Sequence, residues 1–152
     1  MLRALVVVTC ATAAALGAYA AAGAARAWAP ATSGHVARGP DGHYWAQAQV
    51  GGRSLRMLVD TGAGTVALTR ADAAALGIES SALAYDRPVL TAAGRTTGAA
   101  VTLATLTVGD AAVEQVPALV VREGLEHSLL GMSYLGRLKR FSADSHGLTL
   151  ER

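Results

Sequence analysis

Cysteine is nearly absent from this chain of 152 residues: Cys10 is the only one, and it lies inside an apolar opening stretch. Everything after that stretch therefore has no disulfide and no thiol nucleophile, which is compatible with an oxidising compartment without naming one. Runs of Lys or Arg are also missing. The densest basic group, Arg137, Lys139 and Arg140, reads as a solvated strand end. The formal charge is +2, but the first 29 residues carry two of the 13 basic side chains and none of the 11 acidic ones, so the remainder is formally neutral. Nucleic-acid binding relies on neutralising phosphates, and a neutral domain does not offer that. The histidines, His35, His43, His127 and His146, are scattered without metal-ligand spacing. No glycine-rich loop follows a strand and opens a helix, as phosphate binding requires. Ser128 and Ser133 have no His/Asp set to activate them, and Tyr44, Trp45 and Tyr134 read as packing residues. No metal and no other cofactor is expected.

What is abundant is apolar: 52% of the residues, against 16% charged. The excess is concentrated in Met1–Ala29, where only Arg3 and Arg26 are charged. Arg3 is followed by Ala4 to Ala25, a stretch matching the roughly 20 residues needed to cross a bilayer as a helix. Two readings stand, an uncleaved signal anchor and a signal peptide removed near Ala22 to Ala25 or after Ala27-Trp28-Ala29. Both keep Arg3 cytoplasmic and export the rest of the chain. The first gives a single-pass membrane protein with its domain on the exported side, the second a released exported domain. Residues 30–42, with Pro30, Ser33, Gly34, Gly39, Pro40 and Gly42, read as a tether. Residues 43–152 form the remaining domain, large enough for a modest core.

The domain reads as strands. Tyr44, Ala46, Ala48 and Val50 alternate with polar residues, Gly51-Gly52 is a hairpin signal, and Leu55, Met57 and Val59 share a face of the return strand. Val66–Leu68 is a short strand. Thr69 and Asp72 cap a helix over Arg70–Leu76 that stops at Gly77. A second hairpin runs Tyr85–Thr91, turns at Ala92-Ala93-Gly94-Arg95 and returns along Thr96–Leu106. Val113–Val121 is a strand in which Pro117 predicts an edge or a bulge. A short helix is expected around Met132–Arg137, then a final hairpin of Leu138–Ala143 and Leu148–Leu150. Many short strands between regular turns predict an all-β barrel or sandwich.

The apolar strand Leu55–Val59 ends at Asp60-Thr61-Gly62-Ala63, a carboxylate followed by a small hydroxyl and a glycine. Asp-Thr-Gly by itself is an ordinary turn sequence. Here it is followed by Leu76-Gly77-Ile78 at the helix end, by the Thr91–Arg95 hairpin tip, and by Leu129-Leu130-Gly131-Met132-Ser133-Tyr134-Leu135. In that order the segments resemble the retropepsin-like aspartic proteases, especially small bacterial membrane-tethered members, over about Gly42–Glu151. The resemblance implies a closed six- or seven-stranded acid-protease barrel lobe with one or two short helices, preceded by the N-terminal apolar helix. It implies an aspartic endopeptidase acting on protein or peptide substrates, with Asp60 catalytic and Thr61 and Gly62 supporting its loop. It also implies Ala92, Ala93, Gly94 and Arg95 as a substrate-covering flap. Gly64 departs from the Ser or Asp that many members carry there. The family's chemistry needs two facing carboxylates, and this chain has one such triplet, so a homodimer is implied. The alternative on the same fold is a non-catalytic dimerisation or peptide-binding module in the periplasm.

Overall fold

The computed structural model describes residues 34–152. The apolar leader, Cys10 and the start of the expected tether lie outside the described residues. Among the described residues no helix is long and apolar enough to cross a membrane. Those residues form an all-β architecture with two short α-helices.

Strand alternation produces the first hairpin. β1 (His35–Val36) is followed by β2 (Trp45–Val50) and β3 (Arg53–Val59), the last two paired antiparallel from Trp45–Leu58 to Val50–Arg53. Gly51 and Gly52 turn between them with φ of 56° and 78°, the left-handed pair that a two-residue hairpin requires. Leu55 and Met57 on one face of β3 are buried. β4 (Val66–Leu68) leads into α1 (Arg70–Ala75). The Thr69 hydroxyl accepts from the Asp72 N–H at 3.0 Å, capping the start of α1. At the other end Gly77, with φ 82°, donates to Ala74 O, and Ile78 donates to Ala73 O, which closes the last turn.

The second hairpin joins β5 (Arg87–Thr91) to β6 (Gly94–Val108), and β6 continues past the tip to pair with β7 (Ala111–Val121). β8 (Leu129–Leu130) and α2 (Met132–Leu135) come next, then the hairpin of β9 (Arg140–Ala143) and β10 (Leu148–Glu151). The large sheet has the order β2-β3-β8-β4-β7-β6-β5, and β2 also pairs with the end of β6, from Ala48–Val108 to Val50–Leu106. The sheet therefore curls back on itself. Its inner face holds the core, with Met57, Leu68, Leu106, Val120, Leu130 and Tyr134 fully enclosed.

Several details differ from expectation. The stretch 30–42 reads as a tether in the sequence, yet from Gly34 onward it packs on the domain. β1 pairs with β10, Val36 is buried, and Leu150 donates to Gly34 O at 2.7 Å. Asp41 folds the next turn by accepting from the His43 N–H and from Trp45 Nε1. β5 begins at Arg87 rather than Tyr85, whose hydroxyl instead donates to Ser80 O. α2 ends at Leu135 with Gly136 as its cap, two residues early. Pro117 lies within β7, between β4 and β6, yet β4 borders β7 only from Ala118 to Val120, so the missing N–H falls just outside that ladder.

Candidate active site

β3 delivers Asp60 to the end of the sheet, and the segment around β8 fixes the loop beyond it. β8 lies parallel to β3, with Leu58 opposite Leu129 and Val59 opposite Leu130. The Asp60 N–H donates to Leu130 O at 3.2 Å. The loop then turns back: Ala63 N–H donates to Asp60 O at 3.3 Å, and Gly62 N–H donates to Asp60 Oδ1 at 2.8 Å. One carboxylate oxygen is thus tied down, which orients the side chain. Asp60 is half-buried, while Thr61, Gly62 and Gly64 are exposed.

Gly131 presses against this loop from below. A Cβ there would collide with Thr65 O and lie 2.6 Å from Ala63 O, so only glycine fits. The neighbouring Met132 N–H donates to Ala63 O at 2.8 Å. The serines on either side of Leu129–Gly131 reach β4. Ser128, the one fully buried polar side chain among the described residues, accepts from the Thr69 N–H at 3.0 Å and donates to Asp72 Oδ2. Ser133 accepts from the Val66 N–H at 2.8 Å and donates to Pro117 O at 2.7 Å.

Above the loop runs a groove of about 880 Å³. Asp60, Gly62, Ala63 and Thr65 line one side, and Pro88 to Ala93 of the β5–β6 hairpin line the other. The structure therefore brings Asp60, Gly62, Ala92 and Ala93 to a common groove. Thr61 does not line it, and Gly94 and Arg95 line a smaller cavity of about 290 Å³ with Glu123 and Gly124. Sequence reasoning missed Leu90 and the wall Gly124–His127. Leu90 is 79% exposed, an apolar side chain left uncovered on a hairpin arm. His127 reads as a loop histidine in the sequence, but its ring meets Trp45 edge-on at 4.9 Å between centroids. Arg56 stacks over the same indole at 4.0 Å, and Trp45 Nε1 donates to Asp41 Oδ2 at 2.8 Å. That hydrogen bond, followed by the one from the His43 N–H, holds the Asp41 carboxyl below its usual range. Nothing local in the sequence links 41, 45, 56 and 127.

Residues 46–137 match the family model described as "gag-polyprotein putative aspartyl protease". The crystal structure of a retropepsin-like aspartic protease from Rickettsia conorii aligns with a TM-score of 0.69 and 39% identity, over 76% of this chain and 87% of that one. The chain belongs to the retropepsin-like aspartic protease family. Two further relatives of this retropepsin-like chain carry less descriptive names. Uncharacterized protein RP867 of Rickettsia prowazekii (strain Madrid E) is 38% identical over 115 residues, 76% of this chain and 49% of its own length. An uncharacterized protein in the cobV 5' region of Sinorhizobium sp. is 38% identical over 111 residues, covering 72% and 48%. The retropepsin-like chain thus spans about half the length of these curated relatives. The matched stretch 46–137 contains both Asp60 and Gly131, the two residues around which the loop is built.

Proposed function

We propose that this retropepsin-like chain is an aspartic endopeptidase whose active site forms when two copies bring their Asp60 side chains together. The observation that carries the reading is the placement of Asp60: oriented by the Gly62 N–H, at the side of a groove and across from a hairpin able to cover it. Two carboxylates at roughly 3 Å cannot both ionise, so the pair shares a proton. The ionised member takes a proton from a water between them as that water attacks the scissile carbonyl. The protonated member polarises the carbonyl oxygen and then passes a proton to the leaving amine. A two-fold axis supplies the second Asp60, and the exposed Thr61 hydroxyl is free to hydrogen-bond across it.

An extended peptide suits the groove, since it can offer backbone hydrogen bonds to strand edges. Closure of the β5–β6 hairpin would exclude water from the reacting bond. The β2–β6 pairing supports the finer reading of each lobe as a closed barrel with β5 outside it. The apolar Met1–Ala29 segment supports an exported enzyme held at a bacterial inner membrane, its catalytic domain in the periplasm. The test is Asp60→Asn in the full chain, assayed for peptide cleavage at mildly acid pH. Loss of cleavage with an unchanged fold is expected; a mutant that cleaves as the wild type does ends the proposal.

A further inference from the structure

We propose that Ser128 and Ser133 act as positioning residues for the Asp60 loop, a pair of clamps that fix the strand after that loop at both its ends. β4 is weakly held on the side of β8. It has three residues, and only Ala67 pairs with β8, opposite Leu129. Yet β4 determines where residues 61–65 must end, because the loop runs straight into Val66. The two serines supply what the short ladder lacks. At the start of β4 the Ser133 hydroxyl accepts from the Val66 N–H, and one residue past its end the Ser128 hydroxyl accepts from the Thr69 N–H.

Each hydroxyl is also held from behind. Ser133 donates to Pro117 O in β7, and Ser128 donates to the Asp72 carboxylate on α1. Neither hydroxyl can therefore turn away without breaking two hydrogen bonds. Ser128 is fully buried, so water cannot replace its partners there. Both clamps sit on the segment that carries Leu130 O, the acceptor for the Asp60 N–H, and Gly131, which abuts Ala63 O and Thr65 O. Loop, β4 and the Leu-Leu-Gly segment form one unit, with the serines as its two ties. A loosened tie shifts the Asp60 carboxylate relative to its partner, and a displacement near 1 Å is enough to cost roughly a hundredfold in rate.

The kinetic half of this proposal rests on the proteolytic reading; the ordering of the loop does not. The experiment uses the full chain with Ser133→Ala, Ser133→Thr, Asp72→Ala and Asp72→Asn, and Ser142→Ala on the exposed β9 as a control. Hydrogen exchange is followed over residues 58–69, and kcat and KM are measured on one peptide. Ser133→Ala and Asp72→Ala should speed exchange over 58–69, leave the β9–β10 hairpin unchanged, and lower kcat about tenfold with KM nearly constant. Ser133→Thr keeps the hydroxyl and Asp72→Asn keeps an acceptor, so both should recover most of the loss. Uniform faster exchange, or a loss that the conservative variants fail to recover, would overturn the proposal as a mere stability effect. Unchanged exchange over 58–69 would overturn it as well. If the wild-type protein shows no Asp60-dependent cleavage, the proteolytic reading fails, and the exchange pattern alone decides the clamp.

Discussion

Gly62 and Gly131 shape the Asp60 loop for different reasons. Gly62 presents its N–H to Asp60 Oδ1, whereas Gly131 is confined by Ala63 O and Thr65 O. By contrast, Cβ atoms at Gly51 and Gly52 would meet nothing, and those glycines serve only their positive φ. Gly131→Ala should therefore destabilise the fold by about 3 kcal/mol, since overpacking against backbone cannot relax as a side chain would; the midpoint of denaturant unfolding measures it. Tyr134 provides a second residue-scale test. It is fully buried and donates to Ala111 O at 2.6 Å. Burial pushes its phenol pKa up, beyond the usual tyrosine range. A group whose folded pKa is raised contributes stability that is complete below its unfolded pKa, about 10, and declines as pH rises above that value. Alkaline titration followed by absorbance should show one tyrosine ionising only together with unfolding, and Tyr134→Phe should remove that component. At this scale the sequence marks Asp60, Gly62 and Gly131, because a motif is a local pattern. It does not mark Ser128 or His127, whose partners, Thr69 and Asp72 for one and Trp45 for the other, are distant in the chain.

Among the elements, the β5–β6 hairpin is the one that the proposed function assigns to substrate. Leu90 lies on it, 79% exposed and lining the Asp60 groove. Its exposure means that folding gains little from it, while an extended peptide in the groove could cover it. Leu90→Ser should leave stability within about 0.5 kcal/mol and raise KM several-fold with a smaller change in kcat; a melting curve and steady-state kinetics on the same sample separate the two. Elements built from local signals were legible in the sequence. The Gly51-Gly52 turn, the Thr69 cap and the Gly77 stop of α1 each depend on residues within a few positions of one another. β1 and β8 were harder to read as strands, since each has two residues and exists through its partner: His35–Val36 through β10, and Leu129–Leu130 through β3 and β4. The turn at Asp144 is intermediate. Its carboxylate accepts from the N–H groups of His146 and Gly147, which lower its pKa, so the contact persists in the mildly acid range where a shared-proton pair would work.

At the scale of the whole molecule, the groove of one lobe holds one Asp60, and the proposed chemistry requires two. Activity should then depend on concentration. The leader-deleted domain should lose specific activity on dilution, while the full chain reconstituted in vesicles should retain it, because a shared membrane raises the effective concentration of partner lobes. Equal specific activity for both forms at every dilution would count against the tethered dimer. Family membership was legible from the order of short segments along the chain. The groove wall was not, since it is assembled from β3, β5, β7 and the 124–127 loop. The parallel pairing of β3 with β8 has a further consequence, for timing. Asp60 reaches its final geometry only when Leu130, about seventy residues later, has arrived beside it. Contacts so far apart in sequence form late in folding. A chain emerging from the ribosome therefore carries the Asp-Thr-Gly triplet without a shaped loop until the segment around Leu130 has followed it.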